Sequence, residues 1–127
     1  MLKIEKNRSF ILKFYKTISG KKKSWKSISQ FTTDSLLIEQ IIFFEKLIPH
    51  FDLVPDEITV EDNRVIVHAQ LKGKHSGTVA GFPASCKNIS TIIAIGFHIE
   101  DKIITDHWFI TDKLDLVQQL GLINLSI

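Results

Sequence analysis

The chain has 127 residues, 44% hydrophobic and 24% charged, with a formal net charge of +2. That composition belongs to one globular domain long enough to bury a core, expected to span residues 1–127. No apolar run approaches the roughly 20 residues of a membrane span; Leu36 to Ile48 comes nearest but is interrupted by Glu39, Gln40, Glu45 and Lys46.

The opening "MLKIEKNRSF" is charged where a signal peptide needs an apolar core, so a cytoplasmic protein without membrane association is expected. Phe10, Ile11, Phe14, Tyr15 and Ile18 then recur at helical spacing, and Gly20 suits the position just past the helix end. The run Lys21-Lys22-Lys23 is expected to be a solvated loop, because no basic stripe with interleaved aromatics extends it toward a nucleic-acid surface. A short second helix near Ser24 to Gln30 is expected to turn Trp25, Ile28 and Phe31 inward. Asp34 is placed to cap a third helix that runs to Ile48, where Pro49 stops it. This third helix is apolar nearly all round, as expected of one sandwiched between layers or lining both a core and a cavity.

From Phe51 the period changes to two. "EITVEDNRVIVHAQLKG" reads as two strands joined at Glu61-Asp62-Asn63, with Val65, Val67, Ala69 and Leu71 on one face. "GKHSGTVAGFPASCKN" reads as a long loop suited to a cavity rim. "ISTIIAIGFHI" and "IITDHWFIT" are two further strands, and Asp112 caps a final helix from Lys113 to Leu120, closed by Gly121. Helices, a meander and a terminal helix make an α+β fold: one curved antiparallel sheet wrapped around N-terminal helices.

Asp106 and His107 are adjacent in a strand, so their side chains leave opposite faces and do not form an acid–base dyad. A three-residue turn over Glu100 to Lys102 pairs Ile99 with Ile103, Phe97 with Thr105 and Ile95 with His107. One face then carries Ile93, Ile95, Phe97, Thr105, His107 and Phe109, which suits either an apolar cavity with one polar group or a core with one hydrogen-bonded histidine. A two-residue turn would shift the register by one and bring His107 beside His98. Without a carboxylate at matching spacing, a metal site is not expected there. Single Cys86 also excludes a disulfide and a cysteine-built metal cluster.

Two stretches carry a family resemblance: "NRVIVHAQLKGKHSGTVAGFPASCKNI", with its Gly-x-His-x-Gly element and following G-F-P loop, and "FHIEDKIITDHWFITDKLDLVQQLG". Together they resemble the SnoaL-like polyketide cyclase family of the nuclear-transport-factor-2-like superfamily. The resemblance implies a cystatin-like cone with an apolar pocket, commonly in a homodimer packed through the sheet. It also implies an intramolecular aldol reaction that uses no metal or cofactor, with an Asp as acid/base. In the family pattern that Asp follows H-[WR] directly, and a His sits on the paired strand three residues before the position of His98. Here those positions hold Phe109 and Ile95, neither of which can accept a proton.

Three functions are therefore weighed. The first is binding of a small apolar molecule in the cone, with Ile93, Ile95, Phe97, Phe109 and Trp25 as its wall. The second is a cyclase- or isomerase-type enzyme with His107 as general base, which lacks an orienting carboxylate on its own face. The third is a dimeric protein-interaction module. In each case a homodimer is expected through the outward residues Ile92, Ala94, Trp108 and Ile110, unless the tail "LINLSI" covers Trp108.

Overall fold

A computed structural model describes residues 2–79, 81 and 83–121; the tail considered as a cover for Trp108 lies outside them. Helices α1 (Lys3–Ile18), α2 (Trp25–Ser29) and α3 (Ser35–Leu47) come first. Strands β1 (Asp52–Glu61), β2 (Arg64–Lys74), β3 (Asn88–Glu100) and β4 (Ile103–Thr111) follow, then α4 (Lys113–Gln119). The four strands form one antiparallel meander in the order β1-β2-β3-β4. Among the described residues, no helix is long and apolar enough to cross a membrane.

Alternation along the strands decides which face is covered. Val65, Val67, Ala69 and Leu71 of β2 are buried, as are Ile93, Ile95, Phe97 and Ile99 of β3. α1 lays Ile11, Phe14, Tyr15 and Ile18 on this face at the expected spacing. Phe97 meets the rings of Phe14 and Tyr15 edge-on at 6.1 and 6.2 Å. α3 buries Leu37, Ile38, Ile41 and Leu47. Asp34 caps it as expected, its carboxylate accepting the Leu36 and Leu37 backbone N–H groups. Asp112 likewise caps α4 through the Asp115 N–H.

The β3–β4 hairpin departs from the expected register in two places that compensate. The turn has two residues, Asp101 and Lys102, both at positive φ, and Glu100 pairs with Ile103. Positive φ at both central residues matches the right-handed twist of a tight hairpin. A bulge at Thr105 then inserts one residue, so that His98 pairs with Asp106 and Phe97 with His107. Two one-residue displacements sum to two. The pairs Ile99–Ile103, Phe97–Thr105 and Ile95–His107 are therefore corrected, while His107 stays on the face of Ile95, Phe97 and Phe109.

On the outer face Gly96 lies opposite Trp108. A Cβ at position 96 would sit 2.1 Å from the indole, so the glycine makes room for the ring. Around it Ile92, Ile110 and Trp108 are 70%, 64% and 46% exposed.

The lysine run is not uniformly solvated. Lys21 and Lys22 are exposed, but Lys23 is buried. Its ammonium donates to the Lys21 and Phe51 carbonyls at 2.8 and 2.7 Å and to Glu45 at 3.2 Å. It also lies 3.8 Å from the centre of the Phe51 ring. Three acceptors and a ring face compensate the desolvation that loop position alone could not reveal.

Candidate functional site

The site begins with α3. Leu37, Gln40, Ile41 and Phe44 fall at offsets of three, four and seven, on one helical face, and this face meets β3 and β4. Together with Phe51, Leu53, Leu71, Ile93, Ile95, His107 and Phe109 they enclose a void of about 30 Å³. That is room for about one water. Phe44 and Phe109 close one side, their ring centres 6.1 Å apart, so a larger occupant has to displace these rings.

His107 is the polar group of β4 in this wall, and its side chain is only 3% exposed. Nδ1 lies 2.5 Å from the Asp34 carboxylate, and Nε2 lies 2.8 Å from the Gln40 side-chain oxygen. An ionised carboxylate can only accept, so Nδ1–H donates to Asp34. The other Asp34 oxygen is held by the start of α3, which fixes the carboxylate from behind. Nε2 then serves either protonation state. A protonated ring donates to the Gln40 oxygen, whereas a neutral ring accepts from the Gln40 NH₂ after a half-turn of the amide. The arrangement is an oriented imidazole whose free nitrogen is shared with a rotatable partner.

Asp34, absent from the sequence-based site, is the carboxylate that the strand face itself lacks. The strand face of His107 lacks an orienting carboxylate, and the partner comes instead from a helix cap 73 residues earlier. Gln40 was legible only as an interruption of an apolar run. Its place between Leu37, Ile41 and Phe44 on one helical face is the signal that could have singled it out.

The remaining predicted residues separate. Ile93, Ile95 and Phe109 stand in the cavity wall with His107. Phe97 is packed against α1 instead, in the aromatic cluster with Phe14 and Tyr15. Trp25 is 51% exposed at the start of α2, whose five residues bury only Ile28, so both its inward placement and its place in the cavity wall are corrected. Asp106 leaves the opposite face, yet its carboxylate turns back to accept the His107 backbone N–H at 2.8 Å. Oxygens of Asp34 and Asp106 and a ring nitrogen of His107 thereby lie within 4.8 Å of one another. Each carboxylate already accepts a hydrogen bond, and His107 already uses both ring nitrogens, so a cation there would compete with the existing network.

The SnoaL-like polyketide cyclase family model matches residues 35–120. None of the curated proteins matches this chain by sequence. Among solved structures, AclR of Streptomyces galilaeus, a candidate hydroxylase, is similar with a TM-score of 0.83 at 14% identity, covering 98% of this chain and 86% of AclR. A candidate SnoaL-like polyketide cyclase from Jannaschia sp. CCS1 gives 0.76 at 20% identity, covering 98% and 97%. A SnoaL-like polyketide cyclase from Agrobacterium tumefaciens gives 0.71 at 13%, covering 91% and 98%. At these identities the likeness speaks for the fold, an α+β cone.

Proposed function

The chain belongs to the SnoaL-like polyketide cyclase family, and from that premise we propose that it is a proton-transfer enzyme of the cyclase or isomerase type acting on a small, largely apolar carbonyl compound. The observation that carries this reading is the Asp34–His107–Gln40 chain at the wall of the cone cavity. An imidazole has the intrinsic proton affinity for base chemistry near neutral pH, and a carboxylate on Nδ1 directs Nε2 toward the reacting carbon.

In the proposed step the Gln40 amide first swings off Nε2. The freed lone pair of neutral His107 takes a proton from the carbon next to the carbonyl. The C–H electron pair becomes a C=C bond as the carbonyl π pair moves to oxygen, giving an enolate. Asp34 stabilises the imidazolium that forms, and Gln40 turns its oxygen to the new N–H. The Gln40 NH₂ is then free to donate to the enolate oxygen. Return of the proton to another carbon completes an isomerisation. The chain needs no metal or cofactor for this sequence. Deuterium exchange into a small ketone, lost on His107→Phe, is the test.

A second reading, binding of a small apolar molecule without turnover, is favoured by Phe109 and Ile95 at the positions where the family pattern carries Asp and His. The two readings differ in one result: the binder takes up apolar ligands but leaves their carbon-bound protons in place. In either case the exposed strip of Ile92, Trp108 and Ile110 supports a homodimer through the outer sheet face. Light scattering at micromolar concentration should give twice the chain mass, and a monomer would refute the dimer.

A further inference from the structure

The cone void of about 30 Å³ has room for little more than a water, so space for a carbonyl compound has to come from a wall that moves. Phe44 is placed to supply it. Its ring borders the cone void on one side and, on the other, a chamber of about 170 Å³ between α3 and α4. Along α3 it stands at the boundary: Leu37, Gln40 and Ile41 before it line the cone void, and Leu47 after it lines the chamber. Phe43 lines the chamber too and is 44% exposed, which puts the chamber mouth at its ring.

The chamber suits a phenyl ring. An apolar void of about 150 Å³ holds a benzene-sized molecule, and this one is bounded on the α4 side by Leu116, Val117 and Leu120. His75 also borders it, but with Nε2 buried, so the surface offered to a ring is apolar. Phe44 is only partly buried, and its aromatic neighbours on the cone side are Phe109 at 6.1 Å and Phe51 at 6.5 Å. Such contacts are individually weak and re-form readily against another apolar wall. A helical phenylalanine has two open χ1 wells, near 180° and −60°, so the ring can cross without movement of α3. Crossing fills one void and opens another, so the total empty volume changes little. The two arrangements therefore lie close in free energy, and an occupant of the cone decides between them.

We infer that Phe44 is the size-selecting gate of the cone: its ring swings into the α3–α4 chamber and leaves, beside His107 and Gln40, space for a single small ring. The substrate class narrows accordingly to monocyclic ketones and compounds of similar bulk. Admission of this kind rests on the reading of the cone as the site of a small carbonyl compound, yet binding reports it whether or not a proton moves.

The test titrates cyclopentanone into protein with methyl groups labelled for NMR. Shifts are expected at Ile93 and Ile95, in the cone wall. Leu116→Phe fills the chamber without touching that wall and should weaken binding about tenfold, because the open arrangement loses population. Val117→Phe, at a half-buried position of the same chamber, should do the same and serves where Leu116→Phe fails to fold. In Phe44→Ala the gate is gone, so filling the chamber should leave affinity unchanged. The two-ring ketone 1-indanone should bind Phe44→Ala about tenfold more tightly than the parent. Parent-like affinity in both filled-chamber variants, or an equal loss with and without the Phe44 ring, overturns the gate. Shifts confined to Leu47 and Leu116, or none at all, overturn it as well. Chamber-sensitive binding without proton exchange supports the gate and refutes only the base chemistry at His107.

Discussion

The imidazole of His107, on an edge strand, and the carboxylate of Asp34, at the start of α3, meet at 2.5 Å across 73 residues of sequence. One aspartate therefore does two jobs. One oxygen closes the N-terminus of a helix, and the other fixes the ring tautomer of the histidine in the cavity wall.

Replacing Asp34 with Asn separates these jobs, since Asn is as good a helix cap as Asp. The cap survives and the charged partner of His107 is lost, at a cost of about 1–3 kcal/mol. Nitrogen NMR of the imidazole should show predominantly Nδ1–H in the unmodified protein and a mixed tautomer in the variant. An unchanged tautomer ratio would show that Asp34 does not orient the ring.

Much of the fold was legible, and the reasons are local. Helical spacing marked α1, the caps Asp34 and Asp112 marked two helix starts, and strand alternation gave the buried faces of β2 and β3. The hairpin register was not legible in detail, because turn length and a bulge at Thr105 each shift pairing by one residue and neither has a decisive sequence mark. The site was half legible for a similar reason. His107, Ile93, Ile95 and Phe109 share strand faces and could be grouped by parity, whereas Asp34 and Gln40 come from a helix whose docking is a tertiary fact. Trp25 and Lys23 were misplaced because short loops and one-turn helices have no periodicity to read.

Lys23→Met tests the buried pair. The variant strands Glu45 without its cation and leaves the Lys21 and Phe51 carbonyls without that donor. Breaking a buried pair from one side costs about 3–5 kcal/mol. The urea midpoint should drop accordingly; a variant as stable as the parent would show that the ammonium contributes nothing net.

Gly96→Ala probes the outer face. The new Cβ conflicts with the indole of Trp108, so the ring has to swing away, at about 1–3 kcal/mol of overpacking. Tryptophan fluorescence should shift to the red and the proposed dimer should weaken. Unchanged emission and mass would mean that the indole does not rest on this glycine.

Stability should depend on pH through His75. Burial lowers its pKa from 6.5, so below that value the unfolded chain binds more protons than the folded one. The contribution of this group is therefore complete above 6.5 and is lost as the pH falls toward its folded value. Between about pH 7.5 and about pH 5.5 the urea midpoint of the parent should fall more than that of His75→Phe. Parallel losses would place the titration elsewhere.

The proton-transfer claim is tested most directly by following deuterium incorporation next to the carbonyl of cyclopentanone in D₂O by NMR. Exchange is expected above the buffer rate, reduced about 10²–10⁴-fold toward that rate by His107→Phe and reduced to a lesser degree by Asp34→Asn. Exchange at the buffer rate with the unmodified protein, or catalysis that survives His107→Phe, would contradict it.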